Sequence, residues 1–414
     1  MKKGIKVALF ATVALGIIGV NTGKNMQNLS VFAQDNKSEY TAQTDIKTLA
    51  SNEKSDSHLQ IRAKSSYLMD YGSGTEIYAH NETTHLPIAS MCKIMTLILC
   101  FDAIDEGNLD LEDTVRVSEK ASSMGGSQVF LEANADYPVK ELMKSIVVCS
   151  ANDSCVAMAE RIAGSEELFV ARMNERAKSL GANDTLFANC TGLPKDPQYS
   201  CAKDVALMLK ELLTHEKYYE FGKVWMDKFQ HPKGRYTEIT NTNKLVRFYE
   251  GCDGGKTGFT SQAGFCLAAT AKRKDMRVIS VVIGEENSAN RFEDVKTMFN
   301  YAFANYSVTP IVQANVPLEE TIAVNSGKVK TVTVCPSRSA YAFAKHGEKS
   351  NIKTETVFHT LRAPIVKGER VGELIVYKDN VEVDRISLIA FERVEKASFF
   401  DCLKDVAKNW CARK

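Results

Sequence analysis

An almost unbroken apolar run, Ile94, Met95, Leu97, Ile98, Leu99, Cys100, Phe101, Ala103 and Ile104, follows Pro87-Ile88-Ala89-Ser90-Met91-Cys92-Lys93. A helix with one wet face would show a polar stripe at 3.6-residue spacing; this run has none, so it reads as a helix buried on all sides, with the rest of its domain built around it. If that helix begins at Ser90, residues i and i+3 share a face, and the Ser90 hydroxyl meets the Lys93 amine at the buried N-terminal end. A serine hydroxyl attacks only when a base takes its proton, and a desolvated lysine with a lowered pKa is such a base. Taken alone the pair also fits an N-cap serine beside a solvated lysine.

The chain has 414 residues, 44% of them hydrophobic, with a net charge of +1. It is long enough for two or three domains, and its neutral balance argues against nucleic acid as a partner. Lys2 and Lys3 precede an apolar segment broken near its start by Lys6, and Val31-Phe32-Ala33 offers a small-residue cleavage pattern. Residues 1–33 therefore read as a secretory signal peptide, with an uncleaved N-terminal anchor as the other reading; both imply export. The eleven cysteines are odd in number and irregularly spaced, and Cys92, Cys100, Cys149 and Cys155 fall in helical patterns. They read mostly as free thiols used for packing, in poorly oxidising surroundings. Seven scattered histidines, without His-x-x-x-His or Cys-x-x-Cys pairs, point to no metal or other cofactor.

Residues 34–60 are polar and aperiodic, as in a flexible spacer. Residues 67–71, the turn Gly72-Ser73-Gly74 and residues 76–79 read as a β-hairpin leading into the Ser90 helix. Pro138 opens a second helix with Val139, Leu142, Met143, Ile146 and Val147 on one face. Cys149-Ser150-Ala151-Asn152-Asp153-Ser154 interrupts it before a third begins. Packing does not explain a polar Ser-x-Asn between two apolar helices, because such groups need partners wherever they are buried. The plainer alternative is a helix–helix turn with Asn152 or Asp153 as N-cap. Further helices are expected at 166–180, 204–213 and 291–305, and strands at 264–272 and 276–283 about a turn at Lys274-Asp275. Before those strands stands Asp253-Gly254-Gly255-Lys256-Thr257-Gly258-Phe259-Thr260. At the edge of an antiparallel sheet, Gly258 would let a ligand backbone approach while Lys256 and Thr257 meet a carboxylate; the alternative is a glycine-rich hairpin loop with an exposed lysine.

Ser-x-x-Lys, Ser-x-Asn and Lys-Thr-Gly in this order resemble the signature set of the penicillin-interacting serine enzymes, the β-lactamases and penicillin-binding proteins. Pro87-Ile88-Ala89-Ser90, Lys93-Ile94-Met95-Thr96, Ser150-Ala151-Asn152-Asp153, Thr191-Gly192-Leu193-Pro194 and Asp253 to Thr260 resemble the serine D-alanyl-D-alanine carboxypeptidases, the low-molecular-mass penicillin-binding proteins. Cys92 and Cys201 depart from that pattern, which has a small or hydroxylated residue and a threonine there. No glutamate lies between Glu175 and Glu211, which disfavours a class A β-lactamase and its deacylating glutamate.

The resemblance implies an α+β fold: an antiparallel sheet flanked by helices (61–306), then a small all-β sandwich domain (307–395). It implies Ser90 as nucleophile, Lys93 as its base and Ser150 as proton donor to the leaving amine, with Asn152, Lys256, Thr257, Gly258 and Phe259 binding substrate. The implied partners are peptidoglycan stem peptides ending in D-Ala-D-Ala and, as covalent inhibitors, β-lactams. The implied oxyanion donors are the backbone N–H groups of Ser90 and Phe259. A non-catalytic peptidoglycan-binding protein of the same fold is the alternative, against which the complete set of reactive side chains stands.

Beyond 307, strands are expected at 330–334, 339–344, 370–377 and 382–390, with turns at Lys367-Gly368 and Asp379-Asn380. Residues 396–414 place Phe399, Phe400, Cys402, Leu403, Val406, Ala407, Trp410 and Cys411 on one half of a helical wheel. This stretch is too short and charged to cross a bilayer. It reads as an amphipathic helix lying on a membrane surface, or as one packed on the protein itself.

Overall fold

The computed structural model describes residues 59–348 and 351–404. The expected signal peptide, most of the polar spacer and residues 405–414 of the amphipathic stretch lie outside the described residues.

Asp70 starts the architecture by closing a hairpin: its carboxylate accepts the Ser73 N–H at 2.6 Å and the Ser73 hydroxyl at 2.7 Å. These bonds turn β1 (Ser65–Asp70) back into β2 (Glu76–His80). Three strands far along the chain complete the sheet: β3 (Cys252–Thr260), β4 (Gly264–Arg273) and β5 (Met276–Glu285). The order is β2-β1-β5-β4-β3, and every pairing is antiparallel. β3, which carries Lys256-Thr257-Gly258, is thus an edge strand.

The expected all-buried helix is α1 (Lys93–Asp105), and Ile94, Met95, Leu97, Ile98, Cys100 and Phe101 are at most 1% exposed. Each such side chain stabilises the fold by about 1.5–3 kcal/mol relative to exposure. Around it pack α2 (Val139–Val148), α3 (Asn152–Ala163) and α4 (Ala202–Leu212). Pro138 sits at the N-cap of α2 and Gly164, in the left-handed region, ends α3. These helices share one apolar core with the sheet face they cover. The opposite face is sealed by α5 (Ser288–Asn305) through Phe292, Val295, Met298, Phe299 and Ala302. Helix 166–180 is observed as Glu166–Ser179, and helix 204–213 as Ala202–Leu212.

After α5 the described chain is built from strands, apart from a last helical turn over 399–404. Thr331–Pro336, Ala340–Lys345, Arg370–Lys378 and Val381–Ala390 match the expected strands. Asp379 and Asn380 both take positive φ in the tight turn between the last two. Tyr306–Val312, Thr321–Asn325 and Ile352–Phe358 are additional strands. Tyr306–Val312 and Ile352–Phe358 mix residue types without clean alternation, which hides them from a period-two reading, while Thr321–Asn325 does alternate, burying Ile322 and Val324, but is only five residues long. Their apolar faces enclose a third core around Val332, Val334, Val371, Ile386 and Leu388. Among the described residues no helix is long and apolar enough to cross a membrane.

Candidate active site

Ser90 lies on the 3-10 turn Ala89–Cys92, one step ahead of the α-helix that the sequence suggested would begin at Ser90. Ala89 holds φ at +47, a left-handed conformation that a β-carbon disfavours. Two glycines clamp the turn. A β-carbon on Gly192 would lie 2.0 Å from the Ala89 carbonyl oxygen, and one on Gly258 would lie 2.6 Å from that of Ile88. Neither position tolerates a side chain, and through Gly258 the edge strand β3 touches the nucleophile turn.

Lys93, one turn into the core, is fully buried. Its Nζ donates to Ser90 Oγ at 3.0 Å, to Asn152 Oδ1 at 2.7 Å and to the Thr191 carbonyl at 2.5 Å. All three ammonium hydrogens thus have acceptors, which is what lets so polar a group stay in an apolar core. The Ser90 residue itself is half-buried, so the hydroxyl stands between the sealed amine and the surface.

Asn152 is the first residue of α3, and Ala151 in front of it makes no side-chain cap. Neither Asn152 nor Asp153 is the helix cap of the plainer alternative. The Asn152 amide turns to Lys93 and donates to the Gly125 carbonyl at 2.7 Å, while its backbone N–H donates to the Ser127 carbonyl at 2.7 Å. The Asp153 carboxylate accepts the N–H groups of Val129 and Leu131, both at 3.1 Å, and that of Ser154 at 2.9 Å. Ser-x-Asn-Asp therefore moulds residues 125–131 against the site. Ser150, at φ +66, is 4% exposed, and its hydroxyl has no hydrogen-bond partner among the described residues. Buried polar groups without partners are rare, and two left-handed non-glycines in one site mark it as strained.

Lys256 lies in the edge strand β3, as expected, and is not the exposed loop lysine of the alternative reading: it is 2% exposed, with Nζ donating to the Thr257 carbonyl at 3.2 Å. Burial first, and the positive charge of Lys93 second, push its pKa down to about 7. Neither lysine has an acidic partner within ion-pair distance among the described residues, so the site favours an anion. Thr257 donates to the Thr242 hydroxyl at 2.8 Å. Phe259 is 55% exposed and stacks on Phe265 at 4.2 Å.

The chain of contacts thus joins Ser90, Lys93 and Asn152 directly and brings in β3 through Gly258. Ser150 and Lys256 make no hydrogen bond to Ser90 or Lys93. Sequence reasoning missed several supports. The Thr191 and Gly125 contributions are backbone carbonyls, which leave no mark in side-chain identity. Asn189 holds the Thr191-Gly192 turn by accepting its N–H groups at 3.1 and 2.7 Å, and the Tyr218 hydroxyl accepts the Gly255 N–H at 2.8 Å.

At the departures from the family pattern, Cys92 is buried with Sγ donating to the Asn189 carbonyl at 3.2 Å. Cys201 caps α4, its Sγ accepting the Asp204 N–H at 3.4 Å. All ten cysteines of the described residues are free. Among the described residues, two side-chain groups are close enough to hold a cation: Asp102 with Glu211 and His215, and Asp184 with Cys201 and Asp204. In the first, Arg176 already bridges Asp102 and Glu211. In the second, Asp204 accepts from the Asp184 N–H and the Thr185 hydroxyl. Neither includes a residue of the Ser90 site.

Comparison with known proteins shows the family and the fold. Residues 51–287 match the family model described as D-alanyl-D-alanine carboxypeptidase, and residues 306–396 match that of the penicillin-binding protein 5 C-terminal domain. The chain is 40% identical over 356 residues to the D-alanyl-D-alanine carboxypeptidase DacF of Bacillus subtilis, covering 86% of this chain and 91% of that one. It is similar to the crystal structure of penicillin-binding protein 5 from Haemophilus influenzae, with TM-score 0.63, 29% identity and coverage of 81% of this chain and 98% of that one. Penicillin-binding protein D2 of Listeria monocytogenes, solved in its cefotaxime-bound form, matches with TM-score 0.53 and 28% identity over 59% of this chain and 98% of its own.

Proposed function

The chain belongs to the D-alanyl-D-alanine carboxypeptidase family, and from that premise we propose that Ser90 is the acylated nucleophile of a penicillin-binding peptidoglycan hydrolase that trims terminal D-alanine from stem pentapeptides. The hydrogen-bonded series Asn152–Lys93–Ser90, sealed on the lysine side and open on the serine side, carries this reading.

In its neutral form the Lys93 amine takes the Ser90 proton as Oγ attacks the carbonyl carbon between the two D-alanines. The tetrahedral oxyanion is met by the N–H groups of Ser90 and Phe259; removing one such donor typically costs about 2.7–4 kcal/mol of barrier lowering. Ser150, whose hydroxyl has no partner among the described residues, gives its proton to the leaving amine and takes in its place the one that Lys93 removed from Ser90. The C–N bond breaks, D-alanine departs and an ester remains on Ser90 until water hydrolyses it. Asn152 Oδ1 keeps a second lone pair for a substrate amide. Lys256 and Thr257 bind the free C-terminal carboxylate, a role supported by the absence, among the described residues, of an acidic partner for Lys256 or Lys93. β-Lactams acylate the same hydroxyl.

A cell-wall substrate requires export, in keeping with residues 1–33 as a signal peptide. Residues 307–395 act as a spacer, and residues 396–414 as a membrane-surface anchor. Phe399, Phe400 and Leu403, 76%, 77% and 56% exposed, support the anchor. Deleting 398–414 and fractionating cells tests it: a truncated protein that stays on the membrane as before defeats the anchor.

For the activity, a pentapeptide ending in D-Ala-D-Ala is incubated with the protein and free D-alanine is assayed. Penicillin should add one covalent adduct to the intact mass. Both signals should vanish in Ser90→Ala, and D-alanine release that persists there would overturn the assignment.

A further inference from the structure

Arg291 stands in the first turn of α5, beneath the β3–β4 edge of the sheet, and is only 8% exposed. Its Nη1 donates to the Gly258 carbonyl at 3.2 Å, with the Cys266 carbonyl at 3.5 Å. The guanidinium carbon lies 5.4 Å from the centre of the Phe265 ring and 4.8 Å from that of Phe292. No carboxylate is within ion-pair distance of it among the described residues, and its buried Nε has no hydrogen-bond partner. Burial lowers its pKa, as expected for a cation without a counter-charge. Removing such a charge from water is costly, and an apolar side chain would pack there at less expense.

What the cation touches gives the arrangement a use. The Gly258 carbonyl and the Phe259 N–H belong to the same peptide group, whose C–N bond has partial double-bond character. A positive donor on the oxygen draws electron density from the nitrogen, so hydrogen bonds on the two sides of the peptide reinforce each other. The bond also holds the plane of a peptide that begins with glycine, the residue least able to hold it unaided.

We propose that Arg291 is a positioning residue that orients and polarises the Gly258–Phe259 peptide, making the Phe259 N–H a stronger oxyanion donor. The inference rests on the reading above, in which that N–H faces the developing oxyanion. Because the oxyanion carries more charge than the ground-state carbonyl, the effect falls on the acyl-transfer rate more than on binding.

The test uses the full chain with Arg291→Gln, which keeps a donor without charge, and Arg291→Lys, which keeps charge without the planar fork. Acylation by penicillin is followed by stopped flow and expressed per titrated active site. The ester carbonyl stretch of the penicilloyl-enzyme is recorded by infrared difference spectroscopy. In Arg291→Gln the limiting acylation rate should fall about tenfold, a fraction of the 10²–10³ that follows complete loss of a donor, with half-saturation little changed. The carbonyl stretch should move to higher wavenumber, since a weaker donor polarises it less. Arg291→Lys should lie between. A parent-like rate per site and an unshifted stretch in Arg291→Gln would overturn the proposal, even if that variant melts earlier. If Arg291→Gln does not fold, the same two readings on Arg291→Lys decide. Should the parent's adduct map to a residue other than Ser90, the underlying site assignment fails instead.

Discussion

Replacing Gly192 by alanine isolates how closely the nucleophile turn is held. Gly192 has φ +80, and an added β-carbon would sit 2.0 Å from the Ala89 carbonyl oxygen, 2.5 Å from its carbon and 2.9 Å from the Ser90 nitrogen. All three are backbone atoms, so no rotamer change relieves the collision. Ordinary contact begins near 3.4 Å, so the segments must part by roughly 1 Å or more, a misplacement of the kind that lowers a rate about 100-fold. The Thr191 carbonyl, an acceptor of the Lys93 amine, moves with the turn. The left-handed conformation itself adds about 1–2 kcal/mol of destabilisation. Gly164→Ala is the control, because Gly164 has φ +82 but nothing within 4 Å of its added β-carbon. Gly164→Ala should melt a few degrees below the parent, by about 2–4 °C per kcal/mol, and Gly192→Ala further below it, because the backbone collision adds to the strain. Only Gly192→Ala should lose about 100-fold in penicillin acylation measured by stopped flow on the folded protein. If Gly192→Ala acylates within twofold of Gly164→Ala, the contact between these segments does not position Ser90.

Lys256 predicts a pH dependence. The protonated amine binds the substrate carboxylate, and its pKa is held near 7, so kcat/KM for the pentapeptide should fall as pH rises through about 7. A peptide with an amidated C-terminus should lack that limb. The unfolded lysine keeps its proton to about 10.5 while the folded one releases it near 7, so between those values the unfolded state binds more protons and stability rises with pH; thermal melts of Lys256→Met should lack the rise. Asp153→Asn turns an acceptor of backbone N–H groups into a donor facing one, which should cost about 2 kcal/mol and slow acylation by loosening residues 125–131; parent-like melting and acylation would contradict this. Cys201→Ser places an oxygen acceptor at the N-cap of α4 and should raise stability by about 0.5–1 kcal/mol in denaturant melts.

The buried helix was legible because apolarity on every face has one physical solution, and its predicted extent errs only where the 3-10 turn begins. The strands of the catalytic domain were legible where apolar residues run through β4 and β5. Tyr306–Val312 and Ile352–Phe358 were not, because their partners supply the order that their own composition lacks. The pairing of β1 with β5 unites residues more than two hundred positions apart, and no local pattern encodes such a contact.

What the sequence alone determined is the chemical inventory: a hydroxyl and an amine three residues apart, a Ser-x-Asn between two helices, a Lys-Thr-Gly near a strand. These are local facts, set by residue type and helical or strand periodicity. Tertiary structure decided the state of those groups. It sealed Lys256 in the sheet, left the Ser150 hydroxyl without a partner among the described residues, lent Lys93 the Thr191 carbonyl and set Arg291 behind the Gly258 peptide. Burial, pKa and hydrogen bonding depend on atoms brought close from distant parts of the chain, and several of those atoms are backbone, which every residue type shares.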